Sequence, residues 1–95
     1  MNPDVQSSAQ PPVIFVHGTR SSAQVWDRQV TALRRRGIDA QAIDLPGHGT
    51  RVSELFTLDG AIEAIDDAVA SFDSAPVLVG HSLGGLVAAI AAPML

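Results

Sequence analysis

The sequence predicts an α/β protein built on a parallel β-sheet. Short apolar runs typical of buried strands alternate three times with segments of helical periodicity, and the connections between them are short. Because two parallel strands must be joined by a crossover, this alternation favours a sheet covered by helices on both faces over a bundle or a sandwich. We therefore expect a three-layer α/β/α arrangement with three strands and three helices.

The predicted strands lie near residues 13–17, 39–44 and 76–81. The first contains the apolar run Val-Ile-Phe-Val, which is too short for a helix and suits a strand buried on both faces. Gly18 ends this run, and the second strand ends at a cluster of proline and glycine, where both residue types break regular structure.

The predicted helices lie near residues 22–36, 58–72 and 83–92. In the first helix, four apolar residues fall on one face: Val25, Trp26, Val30 and Leu33. Gly37 follows them and suits the C-cap. We place Trp26 in the core, with a pocket wall as the alternative. The second helix has the clearest periodicity, with Thr57 as its N-cap and apolar residues spaced four, three, four and three apart: Leu58, Ile62, Ile65, Val69, Phe72.

Composition limits the classes of partner and site. The chain has a net charge of −4 and no lysine, which disfavours binding to nucleic acid or to an anionic membrane. It has no cysteine, so disulfides and thiolate metal sites are excluded. Residues 1–11 are polar and predict a disordered lead to one domain at 12–95. With no apparent targeting or membrane-spanning segment, we expect a cytoplasmic protein.

The most informative segment is Gly-His-Ser-Leu-Gly at residues 80–84, where the third strand passes into the third helix. A serine in so sharp a turn adopts a strained backbone, which requires almost no side chain at Gly80 and Gly84. The turn exposes the Ser82 hydroxyl as a nucleophile and directs the Leu83 amide toward it from the helix start. Two other interpretations stay open: a glycine turn that only allows close packing, and, less favoured, a phosphate-binding loop.

Two further segments lie at the carboxyl ends of the other strands, the edge at which parallel sheets bind ligands. In His17-Gly18-Thr19, the glycine allows the Thr19 amide to turn toward Ser82 as a second oxyanion donor. We assign His17 to holding the loop backbone rather than to general base catalysis. In the segment 44–49, Asp44 is expected to bond loop amides. His81 is assigned to packing or loop hydrogen bonding.

These three segments, in this order and at these intervals, closely resemble the N-terminal part of the α/β-hydrolase superfamily, in its branch of small serine esterases and methylesterases. The resemblance extends from Pro12 to the end of the chain. It implies a truncated α/β-hydrolase fold with the first strand in the middle, Ser82 as nucleophile, and Leu83 and Thr19 as oxyanion-hole amides. It also implies a small ester as substrate and no cofactor or metal. His17, Gly18, Gly80, His81 and Gly84 would be structural residues around the site.

The chain departs from this pattern after Ser82. Family members place a catalytic acid and then a histidine later in the chain, whereas residues 83–95 contain neither. We therefore expect a serine hydrolase that is inactive as the 95-residue chain alone and self-associates through an unpaired sheet edge. The alternatives are a non-catalytic interaction module, a non-hydrolytic member of the fold such as a lyase or a cofactor-free oxidase, and an atypical triad that uses Asp44, His17 or His48.

Overall fold

A computed structural model of the protein describes residues 10–95, so most of the predicted disordered lead lies outside the described residues. Three strands, β1 (Val13–Val16), β2 (Ala40–Ile43) and β3 (Val77–Gly80), form one sheet in the order β2-β1-β3. Both pairings are parallel. The predicted α/β class, the parallel sheet and the central position of the first strand are therefore confirmed.

Three α-helices connect or follow the strands: α1 (Asp27–Arg35), α2 (Leu58–Ala70) and α3 (Leu83–Ala91). Short 3₁₀ helices occur at Ala23–Trp26, Gly49–Arg51 and Ala92–Met94. The predicted ranges of α2 and α3 agree with the structure to within two residues at each end. Thr57 is the N-cap of α2, as predicted, and its side-chain oxygen accepts a hydrogen bond from the Gly60 amide at 2.9 Å.

The first predicted helix is wrong at its start, because residues 23–26 form a 3₁₀ helix and α1 begins only at Asp27. A 3₁₀ helix has three residues per turn rather than 3.6, so Val25 does not continue the apolar face of α1, although Trp26 at the end of the 3₁₀ helix still packs with it. Val25 was predicted on that face and is instead 60% exposed.

The core lies in two layers, one on each face of the sheet. On one face, α2 and α3 pack against alternate residues of the central strand, Ile14 and Val16. On the other face, α1 and Trp26 of the preceding 3₁₀ helix pack against Phe15. The predicted apolar face of α2 is only partly correct. Ile65 is fully buried but Leu58 is exposed, and small residues complete the buried surface: Ala61, Ala64 and Ala68.

Candidate active site

Ser82 lies at the junction between β3 and α3, with its side chain exposed at the carboxyl end of the sheet. Its backbone has φ 55° and ψ −117°, a conformation that L-residues other than glycine rarely adopt. The strain arises because the chain changes from strand to helix at this one residue. The amide of Leu83, the next residue, begins the helix, where backbone N–H groups have no intrahelical acceptor.

Glycine is required two residues before and two residues after Ser82, because neither position has room for a side chain. A Cβ on Gly80 would lie 2.5 Å from backbone atoms of Gly84 and Gly85. A Cβ on Gly84 would overlap the carbonyl oxygens of Val16 and His17. The start of α3 therefore packs directly against the backbone of β3 and the end of β1, and this close packing fixes the turn that carries Ser82.

The loop after β1 approaches the same turn. A Cβ on Gly18 would lie 3.3 Å from Ser82 Cβ and 3.1 Å from His81 Nδ1, so glycine permits this close approach. The Ser21 amide donates to the Gly18 carbonyl at 3.2 Å, closing a tight turn with Thr19 at its tip and Arg20 at φ 60°. The loop that carries Thr19 thus lies against the turn that carries Ser82, and both residues line one recess.

His17 is fully buried, and both of its ring nitrogens bond to backbone groups. The Leu45 amide donates to Nε2 at 3.1 Å, so Nδ1 carries the hydrogen and donates to the Gly18 carbonyl at 2.7 Å. The His48 ring lies 4.9 Å from the His17 ring, centroid to centroid, and its Nδ1 bonds the Pro46 carbonyl at 2.9 Å. His17 therefore links the loop after β1 to the end of β2.

Asp44 forms a second link between the same loops. Its carboxylate accepts hydrogen bonds from the Ala23 amide at 2.8 Å, the Thr50 amide at 3.1 Å and the Thr50 hydroxyl at 2.8 Å. Partial burial acts to raise the pKa of Asp44, but these hydrogen bonds and the nearby His17 together lower it below the ordinary value. The negative charge thus holds the loop after β1 at its far end, while His17 holds its near end.

A recess of about 380 Å³ lies beside Ser82 on the side of α1. Four residues of the predicted site line this recess: Gly18, Thr19, His81 and Ser82. Trp26 lines it too, together with three residues that the sequence analysis did not assign to the site: Ser21, Val25 and Gln29. Trp26 also packs in the core and stacks on Phe15, so its predicted place in the core is confirmed, and it lines the recess as well. Ser21 lies in the loop after β1, whereas Val25 lies on the 3₁₀ helix and Gln29 at the start of α1, and the periodicity did not reveal how these two elements are oriented.

Residues 10–95 hold no cluster of three or more histidine or acidic side chains arranged to bind a metal ion. Over the same residues, no helix combines the length and the apolar character needed to cross a membrane.

Comparisons with known proteins identify the family and the fold. The chain is 44% identical over 85 residues to the probable esterase PIR7A of Oryza sativa subsp. indica, an alignment that covers 82% of this chain and 32% of that protein. It is 36% identical over 86 residues to Methylesterase 9 of Arabidopsis thaliana, which covers 85% and 34%. The chain therefore spans about a third of the length of these relatives.

The solved structure of an extracellular alpha/beta-hydrolase from a Paenibacillus species superimposes with a TM-score of 0.78, covering 90% of this chain and 36% of that one. At 24% identity this likeness supports the fold alone. Residues 13–95 match the Alpha/beta hydrolase family, so nearly all of the described chain is accounted for by one family. The chain belongs to the alpha/beta hydrolase family.

Proposed function

We propose that this chain carries the nucleophile and the oxyanion-binding half of a serine hydrolase that cleaves carboxylic esters. The main support is the backbone of Ser82, which holds an exposed hydroxyl in a strained turn beside the Thr19 loop. Such strain persists only where the surrounding packing enforces it, and it concentrates at functional sites. The esterase relatives support the same reaction class.

In the proposed reaction, Ser82 Oγ attacks the ester carbonyl, and the amides of Thr19 and Leu83 stabilise the developing oxyanion. The hydroxyl proton must pass to a base, which a neutral serine needs in order to attack. His17 is poorly suited to this role, because both of its nitrogens already bond to backbone groups. We therefore propose that the base and its orienting acid lie outside these 95 residues, and that this chain alone does not hydrolyse the ester.

The alcohol released is proposed to be small. The name Methylesterase 9 assigns that relative to methyl esters. Applied to this chain, such a substrate would have a one-carbon alkoxy group and its larger group on the acyl side.

The experiment compares the 95-residue chain, its Ser82→Ala variant and a version extended with a family acid and histidine, using p-nitrophenyl acetate and a fluorophosphonate probe. We expect Ser82-dependent turnover and labelling only in the extended version. Strong Ser82-dependent labelling of the 95-residue chain would instead show that His17 or His48 serves as base. Turnover in the extended version that survives Ser82→Ala would contradict the proposal.

We also propose that the isolated chain self-associates through the open edge of β3. This strand pairs only with β1 among the described residues, and Val77 at its start is 46% exposed. An unpaired apolar edge presents free backbone donors and acceptors to another copy. A chain that used this edge for a specific partner would be an interaction module, and the same labelling experiment would then show no Ser82-dependent reaction in either version.

A further inference from the structure

The two edges of the sheet differ in how their backbone groups are covered. On β2, the Asp39 carbonyl accepts a hydrogen bond from the Val13 amide of β1, so the backbone of the next residue, Ala40, faces away from β1. The Ala40 carbonyl accepts a hydrogen bond from Arg34 Nε at 3.0 Å. Arg34 therefore holds a charged side chain across the outer edge of β2, and such a charge protects an edge strand against further pairing.

The outer edge of β3 is open among residues 10–95. In this part of the chain, β3 pairs with β1 alone. The Val77 amide donates to the Pro12 carbonyl at 2.8 Å, on the side of β1. Because successive residues of a strand alternate, the backbone groups of Leu78 and Gly80 face outward. They are oriented to bond one further strand.

The surface around this open edge is apolar and carries no formal charge. Residues 74–95 contain no Asp, Glu, Lys or Arg, and four of their apolar side chains are exposed: Val77, Leu86, Met94 and Leu95. A groove of about 440 Å³ adjoins the strand, and its lining includes Val69 of α2 and Leu78 of β3. Exposed apolar surface beside an open strand edge is typical of a protein interface.

The distribution of charge favours a second copy of this chain as the partner. The exposed face of α2 is acidic, with Glu63 and Asp66, and α1 ends in a run of arginines. Two copies would therefore repel each other at either helix. Two copies that meet at β3 bring no like charges together, and each offers the other the same open backbone groups.

We infer that β3 pairs antiparallel with β3 of a second copy about a two-fold axis, and that Arg34 limits this assembly to a closed pair. A two-fold pair uses the same edge of both chains and joins two three-stranded sheets, which leaves β2 at both outer edges. Pairing of β3 with β2 of the next copy would instead continue as an open filament. Arg34 prevents it by occupying the Ala40 carbonyl. The inference rests on the self-association proposed above and adds its symmetry and its limit.

Light scattering after size exclusion tests the limit. The unmodified chain should have twice the 9.9 kDa mass of one chain at every concentration. Arg34→Met keeps the apolar stem and the helix propensity but removes the donor and the charge, so its mean mass should rise about two-fold or more above that of the pair and grow with concentration. Far-UV circular dichroism of this variant should be unchanged.

Two control variants isolate the contact with β2. Arg35→Met removes the same charge from the same turn of α1 and should remain a pair. Arg34→Lys keeps a charge at the edge and should also remain a pair. Equal masses for Arg34→Met and Arg35→Met would overturn the inference.

Val77→Lys tests the use of β3. Alone it should give a monomer, and combined with Arg34→Met it should give nothing larger than a pair, because a filament needs both edges open. The Leu78 and Gly80 amides should exchange hydrogen about ten-fold or more faster in Val77→Lys than in the unmodified pair. Filaments of the double variant, or equal exchange, would overturn the assignment of β3.

The outcomes for the unmodified chain separate this inference from the proposals on which it rests. Particles that grow beyond a pair would leave self-association standing and refute only the role of Arg34. A monomer at every concentration would refute self-association and this inference together. Neither result changes the expected Ser82-dependent labelling of the extended version, which tests the proposed hydrolase.

Discussion

Ser82 and Arg20 are the two residues other than glycine with positive φ within residues 10–95, and they lie in the two loops that meet at the candidate site. Each such conformation costs on the order of 1 to 3 kcal/mol. The fold compensates for this cost around Ser82 by packing α3 against the backbone of β1 and β3. The two glycines of α3 that contribute to this packing, Gly84 and Gly85, differ sharply in the space around them.

Gly84→Ala should lower the free energy of unfolding by about 3 kcal/mol, because its Cβ would overlap two carbonyl oxygens at the end of β1. Gly85→Ala is the control. Its Cβ would make an ordinary contact at 3.4 Å, and alanine favours a helix over glycine by up to about 1 kcal/mol. Urea denaturation of both variants tests the prediction. Similar values for the two would show that α3 does not pack against β1 as described.

Asp44→Asn should lower stability at neutral pH, with a penalty that shrinks in acid. The folded-state pKa of Asp44 lies below its ordinary value of 3.8. Its ionised form therefore contributes stability above that value, and the contribution is lost as the pH falls through the folded-state pKa. Urea midpoints at pH 7 and at acidic pH measure the effect, with Asp66→Asn on the exposed face of α2 as the control for general charge. A penalty that is independent of pH would contradict the role of the Asp44 charge.

At the scale of elements, α2 depends on a defined N-terminus. Thr57→Ala removes the side-chain acceptor of the Gly60 amide and should cost about 1 kcal/mol. Thr31→Ala is the matched control, because Thr31 is exposed within α1 and alanine is the better helix former there. Thermal unfolding of the two variants should show a lower midpoint for Thr57→Ala alone. An unchanged midpoint would mean that the cap does not limit the stability of α2.

At the scale of the whole molecule, the open edge of β3 should control association. Val77→Lys places a charge on that edge and should shift the chain toward monomer in light scattering. Val52→Lys adds the same charge at an exposed position away from the sheet and should leave the association unchanged. A monodisperse monomer for the unmodified chain would refute self-association.

The sequence by itself determined the succession of strands and helices along the chain, the parallel sheet and the turn at Ser82. These features follow from local signals, because apolar runs, helical periodicity and glycine spacing each act over a few residues. Thr57 was identified as a cap for the same reason. The central position of β1 followed from the family resemblance instead, since no local pattern specifies which strands are neighbours within the sheet.

The tertiary structure alone decided the links across the sheet edge and the shape of the recess. The bonds from His17 to Leu45 and from Asp44 to Ala23 join residues 28 and 21 positions apart, a separation that periodicity does not report. The 3₁₀ helix at Ala23–Trp26 turned Val25 away from the core and into the wall of the recess. In α2, alanine side chains are buried where the sequence predicted Leu58 to be, and Leu58 is exposed. The space between α2, α3 and the sheet, and not hydrophobicity alone, decides which side chains are buried.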